Sequence, residues 1–400
     1  MSLKIHEIEN SYNTEIALII LLLRKYFQTT DTEEVNKFIV DRKDKIDWST
    51  FKSIAAYHRI RPLLFKELVK VSCLDIHLRK SFIEAIKYFA FTNFQLLFET
   101  KRVTRIFQEN GIIAIPYKGP ILSKCFFGDY DSRESSDIDL LIQWKDLNKC
   151  IELLKKEGYR PVNDFLGYYG IKTRYLENEY NMDFYENGLR KFHIELHWEI
   201  GHPKLHPICG IQALFKLETS QTNPVGINIS FSRASLAFAS LMHHAIKDTF
   251  GILRNFTDLA KIFSSLTEED LVEFKSYLQH ASFHKQASVA EQISNHIFNL
   301  NLSTFSMGNQ MNLKLFIHPL LESTYRYNSK KEIYFSFKKR LALENNKQTK
   351  IKILTTFGKL VLSPNMNDQI WLPLPKSLHF LYFILKPIRL CRKYLIGTIK

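Results

Sequence analysis

The sequence predicts an α+β fold, a small mixed sheet in the middle of the chain with helical regions before and after it. Three observations carry this expectation. Apolar residues recur at near-helical spacing before residue 110 and again after residue 201. Between them, Leu189 to Ile200 alternates, with Phe192, Ile194, Leu196 and Trp198 on one face and His193, Glu195, His197 and Glu199 on the other. The run Asp137-Ile138-Asp139-Leu140-Leu141-Ile142 then sets two carboxylates two apart at the head of an apolar strand.

In chain order, residues 1–110 form the first helical region. Ile16 to Phe27 and Thr30 to Val40 are helices, and Asp47-Trp48 leads into Phe51 to His58. Arg61-Pro62-Leu63-Leu64 opens another apolar stripe. Leu78 to Glu109 is a long amphipathic helix whose aromatic stripe, including Tyr88, Phe94 and Phe98, is expected to pack against other helices. Asn110-Gly111 ends it. Residues 111–200 form an α/β core that opens with a strand at Ile112 to Ile115 and a Lys118-Gly119 turn. Pro120 can begin a short helix there, since its missing N–H costs nothing at the first position. Lys145 to Glu157 is a helix closed by Gly158, and Asn187-Gly188 marks a two-residue hairpin. Residues 201–325 are helical again, with His243 and His244 on one helix and Arg254 and Asp258 on the next. Adjacent histidines on an α-helix point in different directions, so the two are not expected to share one metal. Residues 326–400 form a basic tail, expected to dock on the body. Its segment Ser377 to Leu395 could instead lie on an anionic membrane surface.

Composition narrows the class. From Arg326 to Lys400 there are 16 Lys and Arg against 3 Asp and Glu, so nearly all of the net charge of +14 resides in the tail. The remainder is close to neutral, which disfavours a nucleic-acid partner. The five cysteines are scattered without metal-type spacing and suit reduced thiols in a cytoplasm. No apolar run approaches the roughly 20 residues needed to cross a bilayer, and acidic residues ahead of Ile16 to Leu23 disfavour a signal peptide. The expectation is a cytoplasmic protein.

The chemistry is written in two places. Strand alternation puts Asp137 and Asp139 side by side, where they repel unless a shared proton or a cation lies between them. Hard oxygen ligands suit magnesium. The polar face of Leu189 to Ile200 supplies further carboxylates and histidines.

The ordered set Lys118, Gly119, Leu122, Arg133, Ser136, Asp137, Asp139, Leu140 and Leu141 resembles the polymerase-beta-like nucleotidyltransferase superfamily. It is closest to a bacterial branch of uncharacterised nucleotidyltransferases. Asp47-Trp48, His58 with Pro62-Leu63-Leu64, and Glu195-Leu196-His197-Trp198 resemble the same branch. Where the wider superfamily has Gly-Ser or Gly-Gly at the turn, Pro120 follows Gly119 here, and the branch shares the Lys-Gly form. The resemblance implies a nucleoside triphosphate substrate and two Mg2+ ions held by Asp137, Asp139 and Glu195. It also implies phosphate contacts from Lys118, Gly119, Arg133 and Ser136. His193, His197 and Glu199 are rivals of Glu195, and Arg133 has Asp129, Asp131 or Glu134 as alternative structural partners. The acceptor hydroxyl, whether of a sugar, a small metabolite or a peptide, and the oligomeric state are left open. A catalytically inactive binding protein of the same fold is the alternative reading.

Overall fold

The computed structural model describes residues 3–163, 166, 177–201, 210–219, 229–305, 312–322, 329–344, 347–348, 350–351, 353–355, 364 and 366–392. Helices α1 (Ile5–Ser11), α2 (Thr14–Tyr26), α3 (Thr32–Asp41), α4 (Trp48–Tyr57), α5 (Arg61–Leu68) and α6 (Ile76–Glu109) come first. Asn13, Asp31, Asp47 and Asp75 each cap a helix by accepting a backbone N–H from its first turn. α2 is apolar nearly all round because it lies in the centre of the core. Its Arg24 donates to Ile297 O at 2.9 Å, which joins the first helical region to the second.

The stop of α6 explains why the first strand is shorter than expected. Gly111 is left-handed at φ +72 and the Ile112 N–H returns to Phe107 O at 2.9 Å, a Schellman closure. Residues 112–114 complete the turn back, so only β1 (Ile115–Pro116) pairs in the sheet. Helix α7 (Gly119–Leu122) and β2 (Ile138–Leu141) follow. Then come α8 (Leu147–Lys156), β3 (Arg160–Pro161), β4 (Glu179–Glu186) and β5 (Leu189–His197). Asn187 at φ +51 and Gly188 at φ +78 make the turn between β4 and β5, the doubly left-handed geometry that this dipeptide favours.

The sheet order is β1-β2-β5-β4-β3. β2 and β5 are parallel, and the other pairs are antiparallel. One face, with Ile138, Leu140, Ile194, Leu196 and Met182, packs on α6 and α8 around Val103, Phe107, Ile151 and Leu154. The opposite face carries Asp139 and Glu195.

A second pair, β6 (Leu217–Thr219) and β7 (Ile229–Phe231), precedes the later helices. These are α9 (Arg233–Met242), α10 (Leu253–Phe263), α11 (Glu268–Ala281), α12 (His284–Phe298) and α13 (Lys314–Glu322). They share one core with α2 to α5. The aromatic stripe of α6 divides: Phe82, Phe89, Leu97 and Val103 are buried as expected, whereas Tyr88, Phe94 and Phe98 are exposed.

In the tail, α14 (Ser329–Leu343) docks through Lys339, whose buried ammonium donates to Phe250 O at 3.1 Å. Burial pulls that amine down to about 8. α15 (Met366–Trp371) and α16 (Tyr382–Cys391) are tied together by Arg389 and Asp368 at 2.6 Å. Phe383, Ile384 and Ile388 of α16 are exposed. Among the described residues, no helix is long and apolar enough to cross a membrane.

Candidate active site

The site is built on the register of β2 and β5, in which Asp139 stands opposite Glu195 and Leu141 opposite His197. On the other side of β5, Asn181 is the partner of Glu195, Asp183 of His193 and Glu179 of His197. Two-residue alternation therefore gathers polar side chains from three strands on one face, the floor of the candidate site.

Each carboxylate on that floor already has a positive neighbour. Lys118 Nζ lies 2.5 Å from Asp139 Oδ1. His197 Nε2 lies 3.1 Å from both Asp139 Oδ1 and Glu195 Oε2. His193 contacts Asp183 at 2.5 Å through Nδ1 and approaches Glu195 at 3.7 Å through Nε2. Lys247 Nζ is 2.9 Å from Glu179 and 3.7 Å from Glu195.

These pairings set the charge states. Burial alone would raise the Asp139 carboxyl, but the Lys118 ammonium and the His197 hydrogen bond outweigh it and hold it at about 2. Burial also opposes ionisation of Glu195, yet His193, His197 and Lys247 keep it far below the usual carboxylate range. His193 is raised to about 9 by its hydrogen bond to Glu195, against burial, and by Asp183. Asp137 goes the other way. Burial and then the Asp139 and Glu195 charges raise it, and the Ser136 hydroxyl donates to it at 3.3 Å.

Local sequence explains the placing. Gly119 adopts φ +57, and a Cβ there would lie 3.6 Å from Ser135 Oγ and 3.7 Å from Asp137 O, so the turn bears directly on the loop before the Asp pair. Asn93 of α6 donates to the carbonyls of Tyr130 and Arg133 at 2.8 and 2.7 Å and fixes that loop from beneath.

Arg133 takes none of the partners that the sequence offered. Lys66 neutralises Asp129 and Asp131, and Arg61 pairs with Glu134. This frees Arg133 to reach Asp258 on α10 at 2.9 Å. Glu199 lies off the floor, accepting from Gly210 N and Gln212 Nε2.

The expectation for the two histidines of the next helix is corrected. After α9 the chain makes a π-turn over His243–Lys247, and the Asp248 N–H reaches back to His243 O. The wider turn brings Nδ1 of His243 and of His244 within 3.4 and 3.1 Å of the same Asp248 oxygen. α-Helical spacing had hidden this convergence. The same turn delivers Lys247 to the floor.

Among the described residues two groups could hold a cation, Asp139–Glu195–His197 and His243–His244–Asp248, the ligand atoms of each lying within 4.8 Å of one another. The first lies beside Asp137 and offers carboxylate oxygens, as a magnesium site requires. Besides His197 Nδ1 on the floor itself, Tyr117 Oη, Ser135 Oγ and Asn181 Oδ1 are buried near it without a hydrogen-bond partner among the described residues. Tyr117 sets its ring edge against His197, Ser135 lies by Gly119, and Asn181 stands beside Glu195. Unsatisfied groups around paired carboxylates fit a site that receives a hydrated cation and a polar ligand.

Lys247, the Asp183–His193 pair, Tyr117 and Arg59 were not singled out from sequence. Lys247 could have been found only by anticipating the π-turn. The Asp183 pairing follows once the hairpin register is read through.

No curated protein matches this sequence. The model of a family described as uncharacterised nucleotidyltransferase matches residues 44–299, from just before α4 to the end of α12. That span includes Lys118, the Asp pair, Glu195 and the helices that wall the site, and the chain belongs to this nucleotidyltransferase family.

Proposed function

We propose that the chain moves a nucleoside monophosphate from a nucleoside triphosphate to a hydroxyl of a sugar, small metabolite or peptide and releases pyrophosphate. The observation that carries this reading is the register match of Asp139 with Glu195 on adjacent parallel strands, two residues beyond Asp137. Asp137, Asp139 and Glu195 would hold two Mg2+ ions, with His197 between two of the carboxylates. When bound, the metal stabilises charge on the phosphates and lowers the pKa of the acceptor hydroxyl.

The residues themselves do the rest. Lys118 leaves Asp139 for a phosphate oxygen, and the Gly119 turn and Ser136 line the path of the triphosphate. The acceptor oxygen bonds to the α-phosphorus, the bond to the β-phosphate oxygen breaks, and the acceptor proton passes to a carboxylate or to solvent. Glu195, held so firmly ionised, suits ligation better than proton abstraction. Lys247 and His193 keep it in that state. We place the reaction in the cytoplasm, in keeping with the free thiols of Cys73, Cys125, Cys150 and Cys391.

One observation favours a second reading, a non-catalytic binding protein of this fold: Lys118, His193, His197 and Lys247 already neutralise the floor. Incubation with Mg2+ and each labelled triphosphate, with and without cell extract, separates the two. Pyrophosphate release and label transfer that vanish in the Asp137→Ala/Asp139→Ala double variant support the transferase. Release unchanged in that variant, or no release under any condition, removes it.

A further inference from the structure

Behind the acidic floor, α10 presents two charged residues one turn apart, Arg254 and Asp258. Asp258 is fully engaged, accepting from Arg133 Nε at 2.9 Å and lying 3.1 Å from His244 Nε2. Arg254 is not. It is 8% exposed, its Nε is buried without a partner, and no ion pair reaches it among the described residues. A buried guanidinium without an anion is strongly disfavoured, so a protein that keeps one has a use for it.

A second arginine stands beside it. The Leu253 N–H donates to His58 Nδ1 at 3.2 Å, which ties the first turn of α10 to the turn between α4 and α5. The residues that follow these two partners are Arg254 and Arg59. Arg59 sits in the left-handed region at φ +53, and its side chain is exposed. Its charge acts on Asp137 as well as on Arg254, so it is within electrostatic reach of both. Burial first, and then the Arg133 charge, pull Arg254 down to about 10; the Asp258 and Asp248 charges oppose this and the Arg59 charge adds to it. A polyanion would turn this repulsion into attraction.

We propose that Arg254 and Arg59 form a phosphate-binding site that takes the terminal phosphates of the triphosphate, on the side of the floor nearest Asp137. The planar guanidinium fork matches phosphate oxygens bidentately. Arg133 adds to the field there while its Nε stays on Asp258. The identity of the ligand as a nucleotide rests on the transferase reading; the anion site does not.

The test is calorimetric titration of the full chain with inorganic tripolyphosphate in EDTA, repeated with orthophosphate and with ATP. Tripolyphosphate and ATP are expected to bind and orthophosphate to bind far more weakly. Arg254→Gln and Arg59→Gln should each weaken tripolyphosphate by about 10- to 100-fold. Arg254→Lys should recover part of the loss, and Asp139→Asn should bind as well as the wild type or better. Arg254 has no ion pair to lose and Arg59 is exposed, so these variants fold. No tripolyphosphate binding by the wild type, or equal binding by Arg254→Gln, overturns the site, and the latter result assigns the anion to the basic tail. Arginine-dependent binding without nucleotidyl transfer would overturn the enzyme reading alone. Transfer that does not depend on Arg254 would overturn this site alone.

Discussion

The floor of the candidate site and the arginine wall behind it handle buried charge in opposite ways. On the floor, Asp139 and Glu195 lie among Lys118, His193, His197 and Lys247, and both are held ionised by these internal cations. On the wall, Arg133 is 6% exposed and paired with Asp258, while Arg254 is 8% exposed and makes no ion pair among the described residues. On the proposed reading the floor exchanges its own cations for a metal, whereas the wall takes an anion without giving up a partner.

The comparison can be broken most severely at the floor. Asp139→Asn keeps the shape but removes the charge that holds Lys118. Nucleotidyl transfer should fall by at least about 10³-fold, several kcal/mol of transition-state stabilisation, in a pyrophosphate-release assay. The wall predicts a difference of sign in urea unfolding. Arg133→Met leaves Asp258 buried without its partner and should cost about 3–5 kcal/mol. Arg254→Met removes an unpaired charge and should leave stability unchanged or raise it by roughly 1 kcal/mol. Equal losses from the two would erase the contrast.

His58 sharpens the picture through pH. Burial lowers its imidazole to about 3, and it accepts the Leu253 N–H in the neutral form. The unfolded chain takes up this proton near pH 6.5 and the folded chain does not. Acid therefore favours unfolding: the contribution is complete above pH 6.5 and declines by about 1.4 kcal/mol per pH unit down to about pH 3. Denaturant midpoints from pH 7 to 4 should fall less steeply in His58→Gln than in the wild type, and parallel slopes would refute the buried neutral state. A smaller loss than that of Arg133→Met is expected at the turn. Gly119→Ala meets ordinary contacts but must adopt φ +57, which costs about 1–2 kcal/mol in unfolding experiments.

What the sequence disclosed depended on periodicity. The alternation from Phe192 to Trp198 was enough to place Glu195 and His197 on one face, and Asn187-Gly188 fixed the hairpin, because side-chain direction in a strand is a matter of counting. The short spacing of Asp137 and Asp139 was legible for the same reason. The alternative partners named for Arg133 were the wrong ones because Asp258 lies 125 positions away on α10, and local acidic neighbours looked sufficient. Lys247 was hidden by the π-turn, which breaks the 3.6-residue count. Arg59 and Arg254 become a pair only through the His58–Leu253 hydrogen bond, a contact between distant segments that no pattern in either segment announces.

The most direct measurement of the central claim is a Mn2+ titration of the full chain followed by electron paramagnetic resonance, without nucleotide. The account predicts a bound ion that is lost in Asp139→Asn and in Glu195→Gln. It also predicts a bound ion that is retained in Asp248→Asn and held at least as tightly in Lys118→Met, where the competing ammonium is gone. Binding that survives Asp139→Asn unchanged, or that disappears with Asp248→Asn, would contradict it.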